Sequence, residues 1–421
     1  MKQKLTGSYK KLRETNILSN FFNLSSIQIS NVLLLLFTIR IITGSVGIEG
    51  YGMIMFAYMF SILAGTIINY GTIQSGVKDT AYNLTDKDTL SSVFYNILCI
   101  RVIIFTLYVM GLFLFYWFHV SYYPYILLAA PVVLAEVFNP LCFFIGAEKL
   151  KIFNIYNLIA NIAAVLLILF FIKKPGDGIW VNFILGLGNC ITYVGLLIYF
   201  ASRYELAFHV PLKTELRKIG TNNFYLTVNN ISGNLQQSVI IFALKWNNSS
   251  LLVLGAYTLC DRIIGQCRNL LSTVASAIYP NAVNVYKQSM HKLDIYRRKL
   301  KYLTVSLSFA GAIIIFILAD FIIYTLSKQH NSTAIMILRI MAFVPVISSL
   351  NIYSLLDILL KNKNIYLFKA SIILFITAVL VAFTVTSLGN YFLIAGFTLI
   401  IESCACLLYE YAVKKFATQN A

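Results

Sequence analysis

Residues 251–285 read LLVLGAYTLCDRIIGQCRNLLSTVASAIYPNAVNV, and this stretch decides the class of the fold. It has few helix breakers before Pro280. As a helix rising 1.5 Å per residue it spans roughly 50 Å, enough to cross a bilayer and protrude. Asp261 and Arg262 sit near its middle, and Arg268 lies further along. A charged side chain at such depth costs about 2.5–3.5 kcal/mol on insertion scales, so it seldom faces lipid. These charges are expected to face a partner helix or a water-filled cavity, and the rest of the chain to wall that cavity.

The whole sequence supports this. It has 421 residues, 59% hydrophobic and 12% charged. A soluble domain carries about 25% charged residues, so the chain reads as a polytopic membrane protein. Its apolar runs are about twenty residues long and continuous. They lack the ten-residue alternation of a β-barrel and point to helices. The net charge of +17 sits in short loops between apolar runs and not on a soluble domain, so it reads as topology and not nucleic-acid binding. Cys99, Cys142, Cys190, Cys260, Cys267, Cys404 and Cys406 all lie in apolar runs and behave as small buried hydrophobes. The basic N-terminus is expected to stay attached, because no small-residue cleavage site follows its long apolar stretch.

Twelve spans are expected, near residues 17–43, 51–75, 94–118, 122–147, 153–172, 179–201, 222–244, 251–283, 300–326, 334–360, 365–388 and 391–413. Of the 33 Lys and Arg, only Lys173, Lys174, Lys245 and Lys328 fall in the loops on one side. Arg40, Arg101, Arg262, Arg268 and Arg339 lie within spans, and all the others fall on the other side. This excess places both termini in the cytoplasm. A weak repeat relates ITGSVGIEGYGMIMFAYMFS at residues 42–61 to ALKWNNSSLLVLGAYTLCDRI at the seventh-to-eighth turn. The fold class is therefore all-α integral membrane, with about twelve transmembrane helices in two pseudo-symmetric six-helix lobes around a central cavity. The expected division is a cytoplasmic N-terminus 1–16, a first lobe 17–201, a linker 202–221, a second lobe 222–413 and a cytoplasmic tail 414–421. The linker is read as either an interfacial helix or a solvated loop.

Span seven is the most polar. Asn223, Thr227, Asn230, Asn234 and Gln237 follow helical spacing and form one stripe. Such a stripe can bond sugar hydroxyls across a wetted wall, or can join helices to one another. In span eight Asp261 and Arg268 share a face with Thr258, Gly265 and Ser272, while Arg262 points roughly 100° away. Glu136 and Glu402 lie near mid-depth of spans four and twelve; Arg101 sits about 12 Å in from the cytoplasmic side, and Arg40 and Arg339 sit near the outer ends. Two readings stand. The charges form buried ion pairs, for example of Glu136 or Asp261 with Arg262. Alternatively they make a partly cationic cavity for an anionic substrate such as a lipid pyrophosphate, which arginine binds bidentately. Enzyme signatures are not found: no GK[ST] phosphate loop, no metal spacing among His119, His209, His291 and His330, and no acid–base pair on a soluble domain. No cofactor, metal or nucleic acid is expected.

GIEGYGMIMFAY after the first helix, NYGTIQSGVKDTA after span two, FYLTVNNISGN at span seven and LGAYTLCDRIIGQ at span eight resemble the polysaccharide (Wzx-type) flippases. The resemblance covers essentially the whole chain. It implies a two-lobed alternating-access flippase of the bacterial cytoplasmic (inner) membrane. Such proteins move undecaprenyl-pyrophosphate-linked oligosaccharide repeat units to the outer leaflet for surface polysaccharide assembly. The implied partners are that lipid-linked oligosaccharide, membrane lipid, a glycan polymerase and a chain-length regulator. Arg262, Arg268, Arg101 and Arg40 are its candidate cavity cations, with the span-seven stripe on the sugars. Asp261, Glu136 and Glu402 are the candidates for coupling to H+ or Na+. Asp261-Arg262 is similar to an Asp-Arg pair in the eighth helix of the lipid II flippases. Those flippases also carry arginines in helix one, where this chain has Asn and Gln. Multidrug extruders of the same superfamily carry an acidic residue in helix one, and residues 17–43 have none.

Overall fold

A computed structural model describes the backbone of residues 2–120, 122–247, 249–288, 290–360 and 364–419, and side chains over most of 32–415 except 272–294 and 359–365. The polar start of the first span, Asn20 to Gln28, and Ser272 therefore lie outside the described side chains. Among the described residues there is no strand. The helices are α1 (Lys2–Asn69), α2 (Thr72–Asn83), α3 (Lys87–Trp117), α4 (Tyr123–Leu128), α5 (Ala130–Val137), α6 (Leu141–Gly146), α7 (Leu150–Phe171) and α8 (Val181–Arg203). They continue with α9 (Lys213–Trp246), α10 (Leu251–Gln288), α11 (Met290–Ser327), α12 (Ser332–Met341), α13 (Val344–Leu360), α14 (Asn364–Ser387) and α15 (Tyr391–Gln419). Nine stretches among the described residues are long and apolar enough to cross a membrane. The span-seven helix α9 is not among them, because its amides lower its hydropathy. All twelve expected spans nonetheless have a helix, or a broken run of helices, at their positions.

Local chemistry explains the breaks. α1 is two arms joined at Gly47, whose φ of 73° and ψ of 176° are open to glycine and not to other residues. The first arm runs alongside the end of α11: the Thr43 hydroxyl donates to the Leu326 carbonyl at 2.6 Å. The second arm returns antiparallel to α9, so Gly47 is the expected first hairpin. Span four is cut into α4, α5 and α6, with Pro124 and Pro131 in the first turns of α4 and α5 and Pro140 as the N-cap of α6. Proline removes a backbone donor and is tolerated only at such starts. Span ten is likewise two pieces, α12 and α13, with Pro345 near the break. Asp86 caps α3 through the Asp88 and Thr89 amides, and Asn331 caps α12 through Ala334.

The packing falls into two groups, spans one to six and spans seven to twelve, bridged by α1 against α9, α10 and α11. The largest core runs through that bridge, with Ile42, Tyr51, Ile54, Leu254, Tyr257 and Ile264 all buried. A separate aromatic core of Phe94, Phe143, Phe144 and Phe200 holds the first group at the end where the basic loops gather. We call this the basic end. At the opposite end the groups meet backbone to backbone. A Cβ on Gly255 would stand 2.0 Å from the Ile48 carbonyl oxygen, and one on Gly52 would stand 2.7 Å from the Gly255 nitrogen.

Of the two readings of the linker, the loop is nearer to what forms. Residues 204–212 carry no helix, and the chain is helical from Lys213 without interruption into span seven. There is no separate interfacial helix. The linker is pinned to the first group instead. Glu215 accepts from Asn96 at 3.0 Å and Ser92 at 3.3 Å on α3, and from the Leu212 amide at 3.3 Å. His209 lies 3.2 Å from the same carboxylate. Lys87 pairs with Glu205, and the Ser91 hydroxyl accepts from the Ala207 amide.

Two outcomes follow from this packing. Gly255→Ala forces a methyl group into the Ile48 carbonyl, so it should cost about 1–3 kcal/mol, read as a lower melting temperature in detergent. Gly265→Ala, which meets nothing within 4 Å, should leave the melt within error or raise it; equal melts for both variants would remove the crossing as a stabilising contact. The Asn96 and His209 contacts hold Glu215 well below the ordinary glutamate value of 4.5, at about 2. A depressed carboxylate stabilises the fold above pH 4.5, and loses that contribution as pH falls towards 2. Wild-type melting should therefore fall more steeply between pH 6 and pH 3 than that of Glu215→Gln.

Candidate functional site

The α10 helix carries its charges on two faces, as its periodicity requires. Asp261 and Arg268 are seven residues apart and meet: Arg268 Nη2 donates to Asp261 Oδ1 at 3.3 Å. The same guanidinium reaches α15, with Nη1 3.7 Å from Glu402 Oε1. Glu402 is held in turn by α13, where Asn351 Nδ2 donates to Glu402 Oε2 at 2.8 Å and to the Glu402 carbonyl at 3.2 Å. One turn earlier the Tyr257 hydroxyl shares a 2.9 Å hydrogen bond with Thr398. The result is a polar seam inside the second group, with one cation between two carboxylates. The side chains of Arg268, Asp261 and Glu402 keep 18%, 13% and 20% of their surface accessible. They are largely, but not wholly, enclosed. Lone charges there would be costly, and shared pairing with an amide on one carboxylate offsets part of that cost.

Arg262 takes the other face. Its guanidinium lies 4.7 Å from the ring centre of Tyr58, on the second arm of α1. It is the span-eight cation that crosses from one group to the other, and it too keeps accessible surface. A guanidinium on a tyrosine face gains about 0.5–2 kcal/mol, and Arg262 also hydrogen-bonds the Tyr58 side chain. The expected pairing of Arg262 with Glu136 or Asp261 is not what the structure holds. Asp261 turns to Arg268, and Glu136 lies in the first group.

The span-seven stripe lies along the seam between groups. Asn223 Nδ2 donates to the Ser75 hydroxyl at 2.9 Å. Asn230 and Gln74 exchange amide hydrogen bonds of 3.2 and 3.1 Å. Asn234 donates to the Thr66 hydroxyl. Thr227 is buried and bonds the Asn223 carbonyl of its own helix at 2.8 Å. Gln237 is exposed. Three members of the row thus hold α9 against the second arm of α1 and α2, the joining role weighed for them from sequence.

The remaining candidates are dispersed. Arg101 is fully buried inside the first group and borders no inter-group space. It donates to the Asn139 carbonyl at 2.7 Å, the Val137 carbonyl at 3.4 Å and the Thr72 hydroxyl at 2.9 Å. Those carbonyls are freed where Pro140 ends the helical ladder, so the arginine answers a helix break. Glu136 accepts from Asn69 at 2.6 Å and Asn139 at 3.0 Å beside the same break. Arg40 is exposed near the opposite end and donates to the Thr325 carbonyl of α11. Tyr58 and Asn351 belong to the charge arrangement and escaped the sequence reading. Asn351, a lone amide within span ten, was the available signal; a tyrosine among 27 offered none. Among the described residues no group of three His, Cys, Asp or Glu could hold a metal.

Residues 17–286 match the family of polysaccharide biosynthesis proteins. Over 402 residues the chain is 20% identical to a protein of Escherichia coli (strain K12) assigned as an O-antigen transporter, covering 93% of this chain and 95% of that one. An inward-facing multidrug resistance transporter of the MATE family in the MOP superfamily superposes with a TM-score of 0.72 at 13% identity, covering 93% and 96% of the two chains. The lipid II flippase MurJ in an inward closed conformation also reaches 0.72 at 14% identity, covering 93% and 87%. At such identities the two structures establish the fold.

The charge seam can be tested by removing its centre. Arg268→Ala leaves Asp261 and Glu402 without their shared cation and should destabilise the protein by about 3–5 kcal/mol. Adding Glu402→Gln should restore part of the loss, measured as melting temperature in detergent at pH 7. Strict additivity of the two changes would show that Arg268 and Glu402 do not interact.

Proposed function

Since the chain belongs to the polysaccharide biosynthesis protein family, we propose that it flips undecaprenyl-pyrophosphate-linked oligosaccharide across the bacterial cytoplasmic membrane by alternating access. The observation that carries this reading is the position of Arg262 and Arg268. Both stand near the middle of one long helix, with accessible surface, one turned to each group. The O-antigen transport assigned to the E. coli relative agrees with it.

In this mechanism the basic end faces the cytoplasm, and residues 17–201 and 222–413 act as the two rocking lobes. The sugar head group enters between them while the polyprenyl tail stays in lipid. Arg262 presents donors to the pyrophosphate from its tyrosine platform. Arg268 joins it only as its hold on the two carboxylates loosens. Binding of a proton or Na+ at Asp261 or Glu402 would loosen it, which links the ion to cargo through a shared cation. Such a link shifts the equilibrium only as far as cargo and ion bind the two states differently. The amide row of α9 has a matching role. Its hydrogen bonds to Thr66, Gln74 and Ser75 must break when that side opens. Sugar hydroxyls and water offer replacement partners at little net cost. Arg101 and Glu136, bound into the first group, serve its rigidity.

The test is head-group translocation in vesicles containing the purified protein. Arg262→Ala should slow translocation at least tenfold and leave the melting temperature within 2–3 °C, since only a contact worth about 0.5–2 kcal/mol is lost. Arg262→Lys keeps the charge without the bidentate fork and should fall between the two. Wild-type rates in Arg262→Ala would remove the arginine from the pathway.

A further inference from the structure

A pocket of about 310 Å³ opens at the basic end of the first group, where span four turns into span five beside the end of span six. Close packing builds the turn. A Cβ on Gly146 would stand 2.8 Å from the Val77 carbonyl oxygen, so α6 seats directly on α2 and ends there. Glu148 then takes a left-handed φ of 56°, and the chain enters α7 at Leu150. Lys149 immediately precedes α7, and its side chain caps nothing. Because α7 and α8 are consecutive spans packed along each other, the start of one lies beside the end of the other. Arg203, the last residue of α8, thus lines the same pocket as Lys149. The rest of the wall is aromatic. Tyr199 stacks on the buried Phe144 with 6.4 Å between ring centres, and Tyr204 lies 4.5 Å from the ring of the buried Phe200. No carboxylate lines the pocket. Among the described residues neither Lys149 nor Arg203 forms an ion pair. Glu205, next in sequence to Tyr204, is held by Lys87. Glu148 precedes Lys149, and the exposed Lys151 follows it. With Glu148 counted, three cations still stand against one carboxylate.

We infer that this pocket holds the phosphate of an anionic membrane phospholipid, whose acyl chains lie along the outer faces of α7 and α8. Unpaired cations call for an anion, and arginine with lysine suits phosphate, a fork beside a point charge. Tyrosine rings collect at the head-group level of a membrane, which is the depth a lipid phosphate occupies. Rings alone would accept a choline cation, but Lys149 and Arg203 repel it. The volume is at the small end of ligand pockets, enough for a phosphate and its ester groups, so the chains must lie outside. A track for them is present. Ile191 and Ile198 on α8 and Ile155 and Ile159 on α7 are exposed. A Cβ on Gly195, one turn from Tyr199, would meet nothing within 4 Å. A free ion would gain nothing from such a surface. Basic pockets between membrane helices recognise lipid head groups by the same combination. Every lining residue belongs to spans four to six. The α10 seam and the α9 row belong to later spans and to their partners on α1 and α2, so the site stands whatever the cargo is.

The purified full chain in a neutral detergent is titrated with phosphatidylglycerol, with phosphatidylcholine and with glycerol phosphate, and melting temperature and native mass are both read. Phosphatidylglycerol should raise the melting temperature by several degrees and remain as an adduct; the other two should do neither. In Lys149→Gln/Arg203→Gln the apparent affinity for phosphatidylglycerol should fall at least tenfold. Lys173→Gln/Lys174→Gln removes the same charge at the other end of the first group and should bind as the wild type does. Lys149→Gln alone should weaken binding severalfold and Lys149→Arg should restore it, which decides the matter if the double variant does not fold. Wild-type affinity in the Lys149 and Arg203 variants, an equal response to phosphatidylcholine, or an equal loss in the Lys173 and Lys174 variant would overturn the site. An equal shift with glycerol phosphate, lost in the Lys149 and Arg203 variants, would overturn its assignment to a lipid.

Discussion

The arrangement depends on how closely α10 crosses the second arm of α1. Gly52 and Gly255 leave no side chain between the two backbones, and the Ile48 carbonyl sits where a Cβ would be. Helices meeting this closely share a fixed register at the crossing. Everything further along α10 is then placed by the helical rise alone. Asp261 and Arg262 fall about 9–10 Å below the contact and Arg268 about 20 Å below it. The charges therefore come to the middle of α10 at a set rotation, one face to each group. A looser crossing would let α10 rotate, and a rotation of about 100° would carry Arg262 onto the face that Asp261 and Arg268 now hold.

That geometry separates two arginines of the same helix into different chemistry. Arg268 is shared by Asp261 and Glu402 and closes a pairing wholly within the second group. Arg262 rests on a ring of the first group. An ion pair and a cation–π contact differ in what they leave available. The paired guanidinium is shared between two carboxylates, whereas the stacked one is held by a tyrosine and has no carboxylate within pairing distance among the described residues. Contacts between groups are also of unequal kind at the two ends. Near Gly47 they are backbone and apolar contacts, and towards the basic end they are hydrogen bonds between amides and hydroxyls, which exchange readily with water. The seam can open at its polar end and hold at its apolar end.

The first group shows the same economy in another form. Pro140 breaks span four and frees carbonyls that no backbone donor can reach. Arg101 fills that vacancy from α3, and Glu136, Asn69 and Asn139 complete a local knot. A buried arginine in a membrane protein is thus explained by a broken helix as readily as by a ligand.

The sequence by itself determined the apolar spans and about how many there are, while the proline breaks that cut spans four and ten into shorter helices came only with the structure. Apolar length and helical period are local properties, and they remain legible without any knowledge of neighbours. It also set the two charged faces of α10 and the single amide row of α9. Only the tertiary structure decided partners. Asp261 could reach Arg268 along its own helix, but Glu402 and Asn351 come from α15 and α13, and Tyr58 from α1. Nothing in spacing relates those positions, because helix crossings set which faces meet. For the same reason Arg101, equal to Arg262 as a lone arginine in an apolar run, proved to belong inside the first group. The stripe of α9 was visible as a stripe, but what it touches was not. A periodic pattern states that a face is polar, and its neighbour across the crossing states why.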